Sequence, residues 1–155
     1  MKKKLILCLA AMTMAIACQA MNAKQFIDKY SNDDEANVVN VGGFGMMLAR
    51  MMGVPTMGVK CVKVVELEKC NGSRRDQIIE DMKKLDQDGY DIVVKDKSGK
   101  NEASYVLLKG DEESVKSLFV VDVDNDDCSI VYVSGNIKMS DIEDIEKKYD
   151  KDNEE

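Results

Sequence analysis

Apolar side chains recur along this chain at two periods, and the switch between them marks out the elements. From Asn22, polar and apolar positions alternate at helical spacing, with Phe26, Ile27 and Tyr30 on one stripe. Asn22 is placed to cap this helix, with Gln25 three positions on completing a capping box. Polar residues Ser31 to Glu35 end it. Ala36 to Val41 is a valine-rich strand, closed by Gly42, Gly43 and Gly45. Met46 to Met52 returns to the helical period, with Met47, Leu48, Met51 and Met52 on one side. Gly53, Pro55 and Gly58 form a loop, and Val59 to Leu67 is a second strand.

Asn71 and Gly72 mark a turn, and Ser73 with Asp76 reads as another capping box. Ile78, Ile79, Met82 and Leu85 then follow at helical spacing, and Gly89 supplies the C-terminal stop. Beyond it the period is that of strands. Tyr90 to Lys95 and Ala103 to Lys109 flank a turn at Lys97-Ser98-Gly99-Lys100. Val115 to Val123 and Ser129 to Ser134 flank a turn at Asp124-Asn125-Asp126-Asp127. Gly135 and Asn136 break the chain. Ser140 and Glu143 cap a last helix whose apolar face carries Ile142, Ile145 and Tyr149.

The order is therefore helix, strand, helix, strand, helix, four strands and a helix. Consecutive hairpins imply antiparallel pairing. The expected fold is α+β in two layers: a mainly antiparallel sheet with helices packed on one face. No repeat or linker divides residues 21–149, which read as a single domain, and residues 150–155 read as a charged, frayed tail.

The first twenty residues obey a different pattern. Lys2, Lys3 and Lys4 precede an apolar run from Leu5 to Ala17, broken only by Thr13, and Ala15, Ala17 and Ala20 follow. This is the order of a secretory signal peptide, assigned to residues 1–20. The run is shorter than the roughly 20 apolar residues that span a bilayer. Cleavage after Ala20 gives a free chain that starts at Met21. Cleavage after Ala17 leaves Cys18 at the new terminus, where Ala15-Ile16-Ala17-Cys18 approximates a lipobox and Cys18 is a candidate for lipidation and a membrane tether. The expected location is therefore exported: periplasmic, outer-membrane-associated or extracellular.

Removal of residues 1–20, which hold three of the 22 basic residues and no acidic one, takes the net charge from −7 to −10. So acidic a domain lacks the Lys/Arg clusters that phosphates demand, which argues against nucleic acid as a partner. It is likewise a poor electrostatic binder of anionic lipid. The chain contains no histidine. His-based general base catalysis, Ser-His-Asp and Cys-His nucleophiles and His-ligated zinc are thereby excluded.

Cys61, Cys70 and Cys128 lie beyond the signal. An oxidising compartment permits disulfides, and an odd count leaves one thiol unpaired. A straight strand would hold the Cα atoms of Cys61 and Cys70 roughly 30 Å apart. That pair forms only if the chain folds back after Glu66. The favoured reading is buried free cysteines acting as small hydrophobes.

The remaining chemical candidates are weak. Gly42-Gly43-Phe44-Gly45 lies between a strand and a helix, but Met46 and Met47 stand where a phosphate loop needs Lys and Ser/Thr. Met46, Met47, Met51, Met52 and Met57, with Cys61 nearby, offer soft ligands suited to Cu(I), yet methionine is also a common core filler and docking residue. Counted from Asp122, the acidic turn puts Asp127 and Val133 where an EF-hand needs Gly and Glu. A hairpin turn accounts for it.

Several short segments together resemble a known family: Phe26-Ile27-Asp28-Lys29-Tyr30, Val38-Val39-Asn40-Val41, the Asp88-Gly89-Tyr90 turn, and Gly135-Asn136-Ile137 ahead of Asp141-Ile142. In that order they are similar to the exported Bacteroidetes proteins that carry domain of unknown function 4252. The resemblance implies a small secreted or lipid-anchored envelope protein. It supplies no catalytic residues, and no cofactor is expected.

The reading favoured on sequence is a non-enzymatic envelope protein that binds another envelope protein or ligand. Met46, Met47, Met51 and Met52 are its candidate partner-binding surface. The alternatives are an enzyme whose carboxylates assemble only in the fold, and a methionine-based carrier of a metal or small ligand. Oligomeric state is not legible at this level.

Overall fold

The computed structural model describes residues 21–53, 56–97 and 99–141. The signal peptide, Cys18, the apolar face of the last helix at Ile142, Ile145 and Tyr149, and the charged tail lie outside the described residues.

Helix α1 (Ala23–Ser31) starts at the expected capping box: the Asn22 side chain accepts from Gln25 N at 2.9 Å, and Gln25 Oε1 accepts from Asn22 N at 3.1 Å. Strand β1 (Ala36–Val41) follows, then α2 (Gly43–Met51) and β2 (Val59–Glu68). Helix α3 (Gly72–Lys83) passes into a 3-10 turn over Lys84–Asp88, which Gly89 closes with φ 84°. The cap of α3 is Asn71, whose side chain accepts from Arg74 N at 3.0 Å, and not Ser73. Asn71 holds extended backbone at the point where the helix begins, so its carboxamide reaches the free N–H groups first.

The rest is strand: β3 (Asp91–Asp96), β4 (Ala103–Gly110), β5 (Ser114–Val123) and β6 (Asp127–Lys138). Both expected hairpins form. The expected break at Gly135 and Asn136 does not. Strand β6 runs through them to Lys138, with its register against both neighbours shifting there. A side chain at Gly135 would collide with the Gly58 carbonyl, 2.3 Å from an ideal Cβ. Glycine is required here for close strand approach and not for a turn.

The six strands of the described residues form one antiparallel sheet, in the order β1-β2-β6-β5-β4-β3. Strands β3 to β6 make a meander, and β6 docks on β2. Helices α1 and α3 cover one face, as the hydrophobic patterning predicts. Phe26, Ile27 and Tyr30 of α1, Ile78 and Met82 of α3, and Leu85 pack on Val65, Leu67, Ile130, Phe119, Val121 and Leu107. Phe119 is central, edge-on to Phe26 at 5.3 Å between ring centres.

Two of the three cysteines expected to be free are bonded. Cys70 and Cys128 form a disulfide with Cα atoms 5.6 Å apart, and only Cys61 is free among the described residues. Cys70 follows β2 and Cys128 opens β6, and Leu67 and Cys128 are register partners. Sheet pairing between strands far apart in sequence therefore delivers the two sulfurs to each other.

Candidate interaction surface

Helix α2 begins at Gly43, three residues before the methionine run, with Met46 N donating to Gly42 O at 3.0 Å. Arg50 fastens its far end: Nε donates to Thr56 Oγ1 at 2.9 Å and Nη2 to the Val59 carbonyl at 3.3 Å. The helix is thus held to the start of β2, while Met47 and Met51 are left in water. Met51 is 75 % and Met52 77 % exposed, Met47 is exposed, and Met46 is half-buried. Of the four candidate docking residues, three are open. Cys61 is half-buried, and its thiol donates to Asn40 Oδ1 at 3.7 Å.

The sheet face turned away from α1 and α3 has a more ordered pattern. Residues of neighbouring strands that are register partners share a face. One row across this outer face reads Val39, Val64, Val131, Val120, Val106 and Val94, a valine from every strand of the sheet. The next row reads Val41, Val62, Val133, Leu118 and Leu108, ending at Asp91. Central members of both rows are half-buried by their neighbours alone, whereas the facing positions Val65, Ile130, Val121 and Phe119 under the helices are fully buried. At the β1 edge Val39 is 61 % exposed. Helix α2 adjoins this face: an ideal Cβ on Gly45 would lie 2.9 Å from Val41 Cγ1.

Polar rows bound the aliphatic band. At one end the row is Asn37, Glu66, Ser129, Asp122, Ser104 and Asp96, so acids alternate with neutral residues. At the other end lie Lys60 and Lys116, both exposed, each at the register shift where its strand meets the Gly135 segment of β6; Lys116 Nζ donates to Asn136 Oδ1 there. An antiparallel sheet with one solvated face normally alternates apolar with polar. Here β2, β4, β5 and β6 are apolar on both faces, which is the pattern of a sheet with a layer on each side. Local patterning missed this surface, because its continuity depends on β6 docking beside β2.

Beyond the acidic row, an open trough of about 1030 Å³ is lined by Glu66, Glu68, Glu102, Asp122 and the 124–127 turn. The turn closes through Asp124 N to the Asp127 carbonyl at 2.9 Å, the hairpin geometry expected of Asp and Asn. Among the described residues, no group of three or more His, Cys, Asp or Glu side chains is gathered closely enough to hold a metal ion.

One buried charge lies elsewhere. Asp81 of α3 is 3 % exposed and accepts from Lys29 Nζ at 2.5 Å, Lys84 Nζ at 2.9 Å and Tyr30 Oη at 2.9 Å. Burial alone pushes the Asp81 carboxyl up, but the two ammonium groups and the phenol outweigh it and hold it below the usual carboxylate range. Burial, then the bond to Asp81, pushes the Tyr30 phenol up. With the Asp81 carboxylate bonded by three donors, this cluster ties α1 to α3 and the turn that follows it.

A family model described as a domain of unknown function, DUF4252, matches residues 30–145. The chain belongs to this family. The DUF4252 match starts at the last turn of α1 and takes in every strand of the sheet, so the outer face lies wholly inside it. No curated protein and no solved structure matches the chain.

Proposed function

We propose that this DUF4252 protein is an exported, non-enzymatic binding domain that docks a protein partner on the outer face of its sheet. The observation that carries the reading is the valine row that crosses every strand, backed by a second aliphatic row. Burying such surface is favourable by about 25 cal/mol per Å². Large exposed aliphatic patches rimmed by polar residues are a mark of interaction sites. Near the β1 edge, Met47, Met51 and Met52 offer further exposed thioether surface, and such side chains adapt readily to a partner's shape. Lys2–Lys4 and the apolar run to Ala17 support export, and Cys18 supports a lipid tether as the variant of that reading. The acidic balance supports solubility and argues against phosphate-bearing partners.

The test is site-specific photocrosslinking in the native host, with benzoylphenylalanine at Val131 in the middle of the face and, as a control, at exposed Glu80 on α3. The expected result is a discrete light-dependent protein adduct from Val131 and none from Glu80. Absence of any protein adduct at Val131 overturns the docking reading.

A further inference from the structure

We infer that the partner on the outer face is a second copy of this chain, stacked sheet on sheet about a two-fold axis that lies in the interface and runs across the strands. This rests on the docking reading above and names its occupant.

The argument starts from how the rows are ordered along each strand. On β5 the outer side chains run Lys116, Leu118, Val120, Asp122; on β2 they run Lys60, Val62, Val64, Glu66. Each strand is basic at one end, aliphatic in the middle and acidic at the other. Both basic ends lie at the same end of the sheet: Lys60 and Lys116 each sit at a register shift, one residue before Cys61 and Ser117, which share Ser134 of β6 as register partner, while Glu66 and Asp122 both register with Ser129.

A face-to-face dimer admits two simple arrangements. An axis parallel to the strands sets the acidic row against the acidic row, with Glu66, Asp122 and Asp96 of both copies gathered at one edge. An axis across the strands reverses the strand direction and keeps each strand above its own counterpart. It sets the valine row on the Val/Leu row. It also brings Glu66 over the second copy's Lys60 and Asp122 over the second copy's Lys116. Both ion pairs arise twice, at the rim, where charge complementarity fixes orientation more than it adds affinity. The pattern fits the second arrangement and opposes the first.

The dimensions suffice. Six strands spaced about 4.8 Å apart, and four rows about 6.8 Å apart, make a face of roughly 600 Å² per copy. The pair would bury about 1,200 Å², the lower bound for a specific, stable interface. Aligned packing of two twisted sheets at about −30° accommodates the contact. An isologous contact also matches like with like, since an aliphatic band is complementary to itself.

The experiment is sedimentation velocity on the full-length product purified from a host that carries out its own processing. Wild type is compared with Lys116→Asp, Asp122→Lys and an equimolar mixture of those two. Both positions are on the solvent side of the sheet, so the fold is retained, and circular dichroism checks this. The expected result is a dimer for wild type at micromolar concentration and at least ~10-fold weaker self-association for each variant alone, since like charges then face one another. The mixture regains a dimer. In a mixed pair, positions 116 and 122 are both acidic in the first variant and both basic in the second, so opposite charges meet in both halves. A monomeric wild type overturns the second-copy inference. If Val131 still crosslinks to a different protein, the docking reading survives that loss; if it crosslinks to nothing, both fall. Variants that dimerise as wild type does, or a mixture that stays monomeric, overturn the strand-reversed geometry.

Discussion

The Tyr30 hydroxyl of α1 donates to the buried Asp81 carboxylate of α3 at 2.9 Å, and so joins two helices that share the inner face of the sheet but are 51 residues apart in sequence. Asp81→Ala removes the carboxylate that the Lys29 and Lys84 ammonium groups share and that the Tyr30 hydroxyl donates to. Breaking a fully buried pair costs about 3–5 kcal/mol, and because Lys29 is partly exposed the expected loss is about 2–3 kcal/mol. Tyr30→Phe removes one hydrogen bond and is expected to cost about 1 kcal/mol. Urea unfolding followed by circular dichroism measures both.

The same carboxylate sets a pH dependence. The Asp81 pKa is lower in the fold than in the unfolded chain, where it is about 3.9. Its contribution is therefore fully present above that unfolded value and is lost as pH falls through the folded one. Asp81→Asn cannot titrate, so its stability is expected to fall less steeply with acid than that of wild type below about pH 4. Parallel slopes in urea unfolding across pH 2–6 would contradict the assignment.

The disulfide closes a loop between residues 58 apart in sequence. On the loop-entropy scale, its removal by Cys70→Ser with Cys128→Ser is expected to cost about 4 kcal/mol at most. Peptide mapping without reductant should recover the Cys70 and Cys128 peptides linked and Cys61 open to alkylation. A linked Cys61 peptide would refute the pairing.

Gly58 holds φ 80°, and an ideal Cβ there would lie 2.1 Å from the Asn136 carbonyl oxygen. Neither the dihedral nor the space admits a side chain. Gly58→Ala is expected to destabilise by more than the ~1 kcal/mol of an ordinary glycine replacement, because β6 must move away from the start of β2. Gly42→Ala, which meets nothing within 4 Å, is the matched control. Equal unfolding midpoints for the two variants would refute the close approach.

Oxidation reads the exposure of the methionines directly. Under limiting hydrogen peroxide, Met51 and Met52 should form sulfoxides first and fully buried Met82 last. Mass-spectrometric peptide quantification gives the order, and early oxidation of Met82 would contradict the packing of α3.

Much of the architecture was legible because its signals are local. The box at Asn22, the stop at Gly89 and the hairpin turn at Asp124–Asp127 each reside in a few adjacent residues, and each forms as read. The misreadings share a cause of the opposite kind. Gly135 and Asn136 carry the composition of a break, but what acts on Gly135 is the backbone of Gly58, far off in sequence. Ser73 and Asn71 are both competent caps, and only the backbone at the start of α3 chooses between them. Cys70 and Cys128 meet because β2 pairs with β6, a pairing that no turn residue announces. The outer valine row is hidden for the same reason. Within β5 the outward Leu118 and Val120 look like part of a generally apolar strand, and they become a surface only when aligned with Val131 and Val64.

The docking of β6 on β2 also has a consequence for how the molecule is made. The β1–β2 ladder and the β3–β6 meander are two locally wired pieces, and one seam of backbone hydrogen bonds joins them. Strand β2 must wait, with one edge unpaired, until more than half of the sheet behind it has been synthesised. The Cys70–Cys128 staple sits at one end of that seam and ties the chain just after β2 to the start of β6. Assembly of this sheet is thus completed by its latest strand, and the disulfide locks the two pieces together at their seam.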